Sequence, residues 1–528
     1  MAKEIFHTSE KSNFILNMTE EKYSKLASYG LLAALFTTSL ATAIPVIVHD
    51  SMYELSAAGL AVAGVMCMIL ALISLMKKYI RGKVVFPICA FAAMLLWGVV
   101  SLINSYDVGI SFYGYNGRGE GLLALIFYLC FFITGASIKR EKVLKTVVYG
   151  LAGLGLLNSA FGLIQVFTGK ISNYRMISIE VQANAASGLS QSPLFLAMVL
   201  TLVITSSLIA AVSVKGKASK VFFIVTACIC SFTMMFTYSL IGICGAVFAV
   251  IAAIAAVFAL RVSKAGLLSV LAVIVPAAAA VGLVQAGLIG NLSQYRLYDG
   301  RILWFADSYY RISASGEPDL KNIDLDDTYE VYYKLNSKTM NIISLNKLTG
   351  TGPEQLVFPQ LYTYGDSGAD ENSPINEVVI ANKGTFDKVY NEYLYTAATR
   401  GIPSLIALVL VLVPVLFIGA KRTKKGTWVQ VCMFILSLGG VLIFFIGCSN
   451  TAFSPIFWAV AGCSIAQIAA PAKAAAVPAG EAPAKEEAPE KAAEPAPEKE
   501  EAAPVKADSA APAKKPQPKK KGGSKKKK

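Results

Sequence analysis

Long apolar runs separated by short polar loops fill most of the first 470 residues of the chain. Many of these runs hold about 18–22 residues, and about 20 residues of α-helix cross the hydrocarbon core of a bilayer. The pattern therefore predicts an all-α polytopic membrane protein with about 12 transmembrane helices. The predicted spans are 26–48, 55–76, 84–103, 120–138, 146–168, 193–212, 221–237, 239–260, 266–286, 401–419, 427–447 and 452–470.

The composition agrees with this class of protein, since 55% of the 528 residues are hydrophobic and only 16% are charged. The net charge of +14 would suggest nucleic-acid binding in a soluble protein, but here the basic residues mark the topology. Basic clusters occupy every second loop, at 77–83, 139–145, 215–220, 261–264 and 421–425. By the positive-inside rule these loops are cytoplasmic. We therefore expect a multi-pass membrane protein, surrounded by membrane lipids, with both termini cytoplasmic and no nucleic-acid partner. The absence of exterior cysteines and a first span that is not cleaved fit a bacterial plasma membrane.

The chain divides into three predicted regions. Residues 1–25 form a polar cytoplasmic segment, and residues 26–470 form the membrane domain, whose long loop 287–390 between the ninth and tenth spans lies outside. Residues 471–528 are rich in Ala, Pro, Glu and Lys and contain no aromatic residue, so this cytoplasmic tail is expected to be disordered. The nine cysteines all lie in or at the ends of predicted spans, and we predict neither an exterior disulfide framework nor a metal site.

Two exterior segments carry arginines against the charge bias. YGYNGRGEGLL (113–123) contains Arg118, and an anion such as a phosphate would explain a guanidinium there. GRILWFADSYYRI (300–312) has the pattern of an amphipathic helix with Arg301 and Arg311 on one face. An interfacial helix whose arginines meet phospholipid phosphates is the simpler alternative for the second segment.

Two further segments frame the tenth span. NKLTGTGPEQLVF (346–358) predicts a turn at its glycines, with Pro353 placed to begin a short helix whose free N–H groups could hold an anion. FDKVYNEYL (386–394) reads as helical, with Asp387 and Asn391 on one face. The alternative for this second segment is structural, namely a surface pair between Lys388 and Glu392 and an interfacial belt of tyrosines.

Taken together and in their order, these segments resemble the O-antigen ligase and polymerase family, over roughly residues 84–420. The family consists of bacterial membrane enzymes that handle polyprenyl-diphosphate-linked glycans. The matching elements are GRGEGLL before the fourth span, TYSLIGICG at 237–245, GRILW at 300–304, TGTGPEQLVF at 349–358 and the pair DKVYNEYL and TRGIPSL within 387–405.

The resemblance implies glycosyl transfer at the outer face of the membrane. The donor would be a polyprenyl-diphosphate-linked saccharide, and the acceptor another glycan, a wall polymer, a lipid or a protein. The family uses no nucleotide sugar and usually no essential metal, so we expect no cofactor. Whether the enzyme would act as a ligase or as a polymerase stays open, as does the identity of the sugar.

The resemblance also implies roles for individual residues. Exterior arginines bind the diphosphate, which assigns that role here to Arg118 and Arg301, and Arg311 shares the face of Arg301. Cationic stabilisation of the leaving group is physically sensible, because charge develops on the diphosphate. The acceptor hydroxyl is expected to meet the face formed by Asp387, Asn391 and Glu392.

One departure from the family bears on the catalytic residue. Where its members carry a His before the Asn of the late exterior motif, this chain has Tyr390, and its two histidines, His7 and His49, lie elsewhere. Glu392, Asp387 or Tyr390 would then have to replace the His as general base. A transporter, or a non-catalytic protein that binds lipid-linked glycans, is the alternative prediction.

Overall fold

The computed structural model describes residues 18–43, 53–114, 119–168, 185–190, 192–286, 288–289, 336, 339–356, 388–424 and 426–468. The regular elements in these ranges are helices, and no strand occurs among them. In the numbering used below the α-helices are α1 Glu20–Leu40, α2 Tyr53–Met76, α3 Val85–Val100, α4 Val108–Tyr113, α5 Leu122–Ala136, α6 Glu141–Thr168, α7 Pro193–Ser213, α8 Lys217–Met235, α9 Leu240–Leu260, α10 Leu271–Gln285, α11 Glu392–Thr423, α12 Trp428–Ile443 and α13 Ser454–Ser464. Short 3-10 segments lie at Gly82–Val84, Ser101–Asn104 and Lys264–Val270.

Eight helices within the described ranges are long and apolar enough to cross a membrane. They are Leu55–Met76, Gly82–Asn104, Glu141–Thr168, Pro193–Ser213, Lys217–Met235, Leu240–Leu260, Gly266–Val284 and Glu392–Thr423. The prediction of an all-helical polytopic membrane protein is therefore confirmed in its general form. The count of 12 stays a prediction, because α5 and α12 are shorter apolar helices and neither α1 nor α13 is among the eight.

Helix α7 is the centre of one part of the bundle. It packs against α6, α8, α9 and α12, and 94% of its most apolar window is buried. Its sequence is apolar or small on every face, as expected of a helix surrounded by protein. On the other side of the bundle α11 packs on α3, while α5 packs on α2 and α13. Helix α12 joins the two groups through its contacts with α7, α11 and α13.

Helix α11 contains a sharp break that shapes the end of the bundle where it begins. Gly401 has φ 80° and ψ 167°, a backbone conformation that is essentially restricted to glycine. The break divides α11 into a short leading segment and the long apolar helix that carries Pro403 and Pro414. A break leaves peptide groups without helical partners, and such groups must find others inside a membrane domain.

The loop 346–356 supplies these partners. The Thr351 N–H donates to the carbonyl oxygen of Ala398 at 2.9 Å, and the Gly352 N–H donates to that of Thr399 at the same distance. In the opposite direction the Ile402 N–H donates to the carbonyl oxygen of Lys347 at 2.8 Å. The loop and the broken helix thus satisfy each other's backbone groups. Gly350 (φ 67°) and Gly352 (φ 101°) confirm the predicted turn, whereas residues 353–356 form turns and no short helix begins at Pro353.

The same loop is also held from the side of α3 and α4. The Trp97 indole N–H donates to the Leu348 carbonyl at 2.8 Å, and the Ser111 hydroxyl donates to the Pro353 carbonyl at 2.8 Å. The Gln355 side chain donates to the carbonyl oxygen of Asp107 at 2.6 Å. These bonds fix the loop between α11 and the α3–α4 corner, so the residues that it carries have a defined position.

Candidate functional site

Five ionisable side chains meet where α5 and α11 begin. We call them the buried ion cluster, and its members are Glu120, Glu354, Lys388, Glu392 and Arg400. Each side chain is at most 6% exposed. Because an unpaired buried charge is costly, the arrangement depends on the contacts between its members.

Lys388 links three separate parts of the chain. Its ammonium group contacts Glu120 Oε2 directly, lies 3.8 Å from Glu354 Oε1 and donates to the carbonyl oxygen of Ser449 at 2.8 Å. Residues 388–390 are not helical, and the helix starts only at Glu392. The expectation that FDKVYNEYL is helical is therefore wrong for residues 388–391 and confirmed for residues 392–394. The surface pair of Lys388 with Glu392 is also wrong, because both side chains are buried. Lys388 lies before the helix, where it points into the protein and meets other carboxylates.

Glu392 ties the start of α11 to the connection between α12 and α13. Its backbone N–H donates to the carbonyl oxygens of Phe444 at 2.9 Å and Gly447 at 3.1 Å. Its Oε2 accepts from the Ser449 N–H at 2.8 Å, while its Oε1 accepts from the Thr396 hydroxyl at 3.3 Å. Both carboxylate oxygens are thus engaged by donors of the protein itself.

Arg400 lies two turns after Glu392 in the helix and forms an ion pair with it. One guanidinium nitrogen, Nη2, lies 3.4 Å from Glu392 Oε1 and donates to the Thr396 hydroxyl at 2.8 Å. The three residues follow at intervals of four, so they share one face of the leading segment of α11. The next residue, Gly401, breaks the helix. Arg400 is therefore the last residue before the break, and its backbone lies against Gly350 of the loop 346–356.

Glu354 is held by a strained loop. Its φ of 58° lies in the left-handed region, where a non-glycine residue is uncommon. Its Oε1 accepts from the Tyr395 hydroxyl at 2.5 Å, and Lys388 lies on the same oxygen. No donor among the described residues contacts Glu354 Oε2. Strain of this kind persists only where surrounding contacts hold it, and it is frequent at functional sites.

The other predicted catalytic residues have mixed positions. Asn391 caps α11, because its Oδ1 accepts from the N–H groups of Tyr393 and Leu394 at 3.1 Å each. Tyr390 is 9% exposed and lies before the helix. The interfacial tyrosine belt is not supported, since Tyr393 donates to the Val441 carbonyl and Tyr395 to Glu354, both inside the protein. Nothing in the structure tests whether Asn391, Tyr390 or Glu392 is catalytic.

The remaining predicted site residues lie outside the described residues. They are the predicted diphosphate ligands Arg118, Arg301 and Arg311 and the predicted acceptor-side residue Asp387. Their neighbours at Glu120 and Lys388 belong to the cluster, which places two of the predicted segments at this end of the bundle. The loop 287–390, predicted to be exterior, is described at residues 288–289, 336, 339–356 and 388–390, and the tail from residue 471 is not described.

Sequence reasoning missed the part played by Glu354, Arg400 and the α12–α13 connection. The connection has the sequence GCSNTAF (447–453), a polar run between two apolar ones. Its Asn450 holds the turn by accepting from the Phe453 N–H at 2.8 Å, and its Ser449 contacts both Lys388 and Glu392. The available signal was the polar character of this run, which a short loop between two membrane helices does not require.

The cluster has the parts for proton transfer more than for metal binding. Its described members comprise three carboxylates and two cations, and the Tyr128 phenol is buried close to the three carboxylates. No group of His, Cys, Asp and Glu in the described part of the chain could hold a metal ion. A carboxylate in such surroundings can accept a proton from a hydroxyl group, while neighbouring cations compensate its charge.

Comparison with known proteins identifies no family for the chain. No protein-family model matches it, and no curated protein is significantly similar to it. The class of protein that the fold and the site define is therefore a helical, multi-pass membrane protein with a buried ion cluster at one end. The resemblance to the O-antigen ligase and polymerase family stays a prediction from the sequence.

Proposed function

We propose that the protein is a glycosyltransferase that passes a saccharide from a polyprenyl-diphosphate carrier to an acceptor at the outer face of a bacterial plasma membrane. Acceptors of the expected classes are a glycan, a wall polymer, a lipid or a protein. The activity would serve the assembly of a cell-surface polysaccharide, either as a ligase or as a polymerase.

One observation carries the proposal. Three segments that resemble the family, GRGEGLL, TGTGPEQ and KVYNEYLYTAATRG, lie far apart in the sequence and meet in the buried ion cluster through Glu120, Glu354 and Lys388. Charged residues that serve only solubility are expected on the surface, and not together in one buried cluster. A common site explains why these segments are polar within an otherwise apolar chain, since buried ionisable groups in membrane proteins are expensive and usually functional.

In this proposal the ion cluster forms the protein side of the reaction centre. Arg118, Arg301 and Arg311 are the expected ligands of the diphosphate, which leaves with the electron pair of the glycosidic bond. Glu392 and Arg400 keep α11 in place against the α12–α13 connection. Lys388 holds the two carboxylates of Glu120 and Glu354 together at the acceptor side.

Glycan transfer by the purified protein tests the proposal. Proteoliposomes would receive a polyprenyl-diphosphate-linked saccharide from the host and an extract of host acceptors, and lengthened or newly attached glycan would be measured. Arg301→Ala should abolish transfer at unchanged protein levels, because the leaving group loses a cation. A matched control, Arg261→Ala, removes an arginine at the end of α9, where the chain leaves that helix, and should leave transfer unchanged.

A transporter is the second candidate, because buried ionisable groups also mark transport pathways in membrane proteins. In that case the wild-type protein would move the intact lipid-linked saccharide between the leaflets without changing it. Protection of the saccharide from an added glycosidase outside the proteoliposomes measures this movement. Movement without transfer would replace the proposal, and binding without either would indicate a non-catalytic protein.

A further inference from the structure

We propose that Glu354 is the catalytic base that takes the proton from the acceptor hydroxyl. The inference rests on the proposed function and assigns its chemistry to a residue that neither the sequence pattern nor the resemblance singles out. Transfer of a glycan to a hydroxyl group requires a proton acceptor within hydrogen-bond reach of that hydroxyl. The two histidines of the chain, His7 and His49, belong to none of the segments that form the cluster.

Of the three carboxylates, Glu120 is paired directly with Lys388, and the hydrogen bonds of the other two distinguish between Glu392 and Glu354. Glu392 uses Oε1 for Thr396 and Arg400 and Oε2 for the Ser449 N–H. These donors stabilise the position of α11, and neither oxygen of Glu392 is without a donor. Glu354 uses only Oε1, and its Oε2 is contacted by no donor among the described residues. It therefore has one oxygen held in place and one oxygen available.

The backbone around Glu354 fixes where that oxygen points. The residue before it is anchored through the bond from the Ser111 hydroxyl to the Pro353 carbonyl, and the residue after it through the bond from Gln355 to the Asp107 carbonyl. Between these two anchors Glu354 keeps its left-handed φ of 58°. Several contacts thus maintain a strained conformation whose evident result is the direction of one side chain.

The neighbours of Glu354 suit a proton acceptor. The Tyr395 hydroxyl donates to Oε1 at 2.5 Å, and the Lys388 ammonium lies 3.8 Å from the same oxygen. Both groups lie on Oε1 and leave Oε2 without a donor among the described residues.

The proposed step is balanced in atoms and charge. The acceptor oxygen attacks the anomeric carbon of the donor sugar while its proton moves to Glu354 Oε2. The bond between the anomeric carbon and the phosphate oxygen breaks, and its electron pair leaves with the polyprenyl diphosphate. Glu354 then releases the proton to the diphosphate product or to water and returns to its carboxylate form.

Glu354→Gln tests the inference in the proteoliposome assay. Glutamine keeps the shape and an oxygen for the Tyr395 hydroxyl but cannot accept the proton, so we expect kcat to fall about 10²–10⁴-fold with little change in KM for the donor. The acidic limb of the pH profile of kcat/KM should disappear from the residual activity, and formate should restore part of the activity of Glu354→Ala. A merely structural residue would produce neither effect. The control Glu141→Gln removes a carboxylate that pairs with Lys145 at the other end of the bundle and should behave as wild type.

The possible outcomes are distinct. If the wild-type protein transfers glycan and Glu354→Gln retains more than about a tenth of its kcat, Glu354 is not the base. If the variant loses activity but formate gives no recovery and the pH profile keeps its acidic limb, the role of Glu354 is structural and the inference fails. If the wild-type protein transfers nothing, the proposed function fails first, and the inference fails with it.

Discussion

The break in α11 gives the sharpest prediction of stability, because one glycine controls it. In Gly401→Ala the added Cβ would lie 2.5 Å from the carbonyl carbon of Leu348 and 3.0 Å from the Thr349 nitrogen. Both are backbone atoms, so the loop has to move as a unit. The new residue would also have to adopt φ 80°, which costs of order 1–3 kcal/mol for a residue other than glycine.

Movement of the loop adds to this cost. The bonds from Ile402 to the Lys347 carbonyl and from Trp97 to the Leu348 carbonyl would be weakened first. Hydrogen bonds inside membrane proteins contribute about 0.6 kcal/mol each on average. We therefore expect Gly401→Ala to lower the free energy of unfolding by about 2–4 kcal/mol.

Equilibrium unfolding of the purified protein in mixed micelles, followed by tryptophan fluorescence during a titration with a denaturing detergent, would measure the change. The matched control is Gly282→Ala in α10, where a Cβ would meet nothing within 4 Å. Alanine is favoured over glycine within helices, so the control should gain roughly 0.5–1 kcal/mol. Equal stability of the two variants would refute the reasoning, because it would mean that the helix breaks at this position without needing glycine.

Further variants test the cluster and its supports. Lys388→Met should destabilise the protein by about 3–5 kcal/mol in the same unfolding assay, because two buried carboxylates lose a shared cation, and adding Glu120→Gln should recover part of the loss. Without such recovery, the pair would not be coupled. Asn391→Ala should cost about 1 kcal/mol through loss of the α11 cap, whereas Asn391→Asp should keep most of the stability. Gln165→Leu should lower the free energy of unfolding by about 1–3 kcal/mol, since the buried Ser187 and Gly188 N–H groups lose the Gln165 Oε1 acceptor. A change below about 0.5 kcal/mol, which is the error of such assays, would contradict this expectation.

Hydropathy was sufficient to predict the helical membrane domain, because about 20 successive apolar residues have few other stable environments. It predicted several spans within a few residues, for example α7 as 193–212 against the observed Pro193–Ser213. The bounds of α11 differ more, since 401–419 was predicted and the helix covers Glu392–Thr423. It could not predict how α11 begins. The run from Lys388 to Tyr395 has helical periodicity, but the helix starts at Glu392, where Asn391 offers a cap and the Glu392 N–H bonds to the α12–α13 connection.

The candidate site was predicted in pieces and not as a whole. The segments around Glu120, Glu354 and Lys388 each contain an unusual charge or a predicted turn. Periodicity, however, reports only on neighbours within one element, so it did not show that the three segments meet. The i, i+4 spacing of Lys388 and Glu392 suggested a surface pair, whereas the actual partners of Lys388 are residues 268 and 34 positions away in the chain, Glu120 and Glu354. Long-range pairing of this kind depends on tertiary packing, which a single sequence does not reveal.

The broken helix and the loop 346–356 explain together how so polar a site is stable in an apolar protein. Breaking α11 at Gly401 leaves the Ala398 and Thr399 carbonyls and the Ile402 N–H without helical partners, and the loop provides all three bonds. The loop in turn needs those partners, because its residues 350–356 are buried and do not form a helix. Each element therefore depends on the other. Arg400 lies at the break of the helix, and Glu354 lies in the loop that bonds to this break. In the proposed reaction, such a rigid backbone frame around paired charges would keep the Glu354 carboxylate in position.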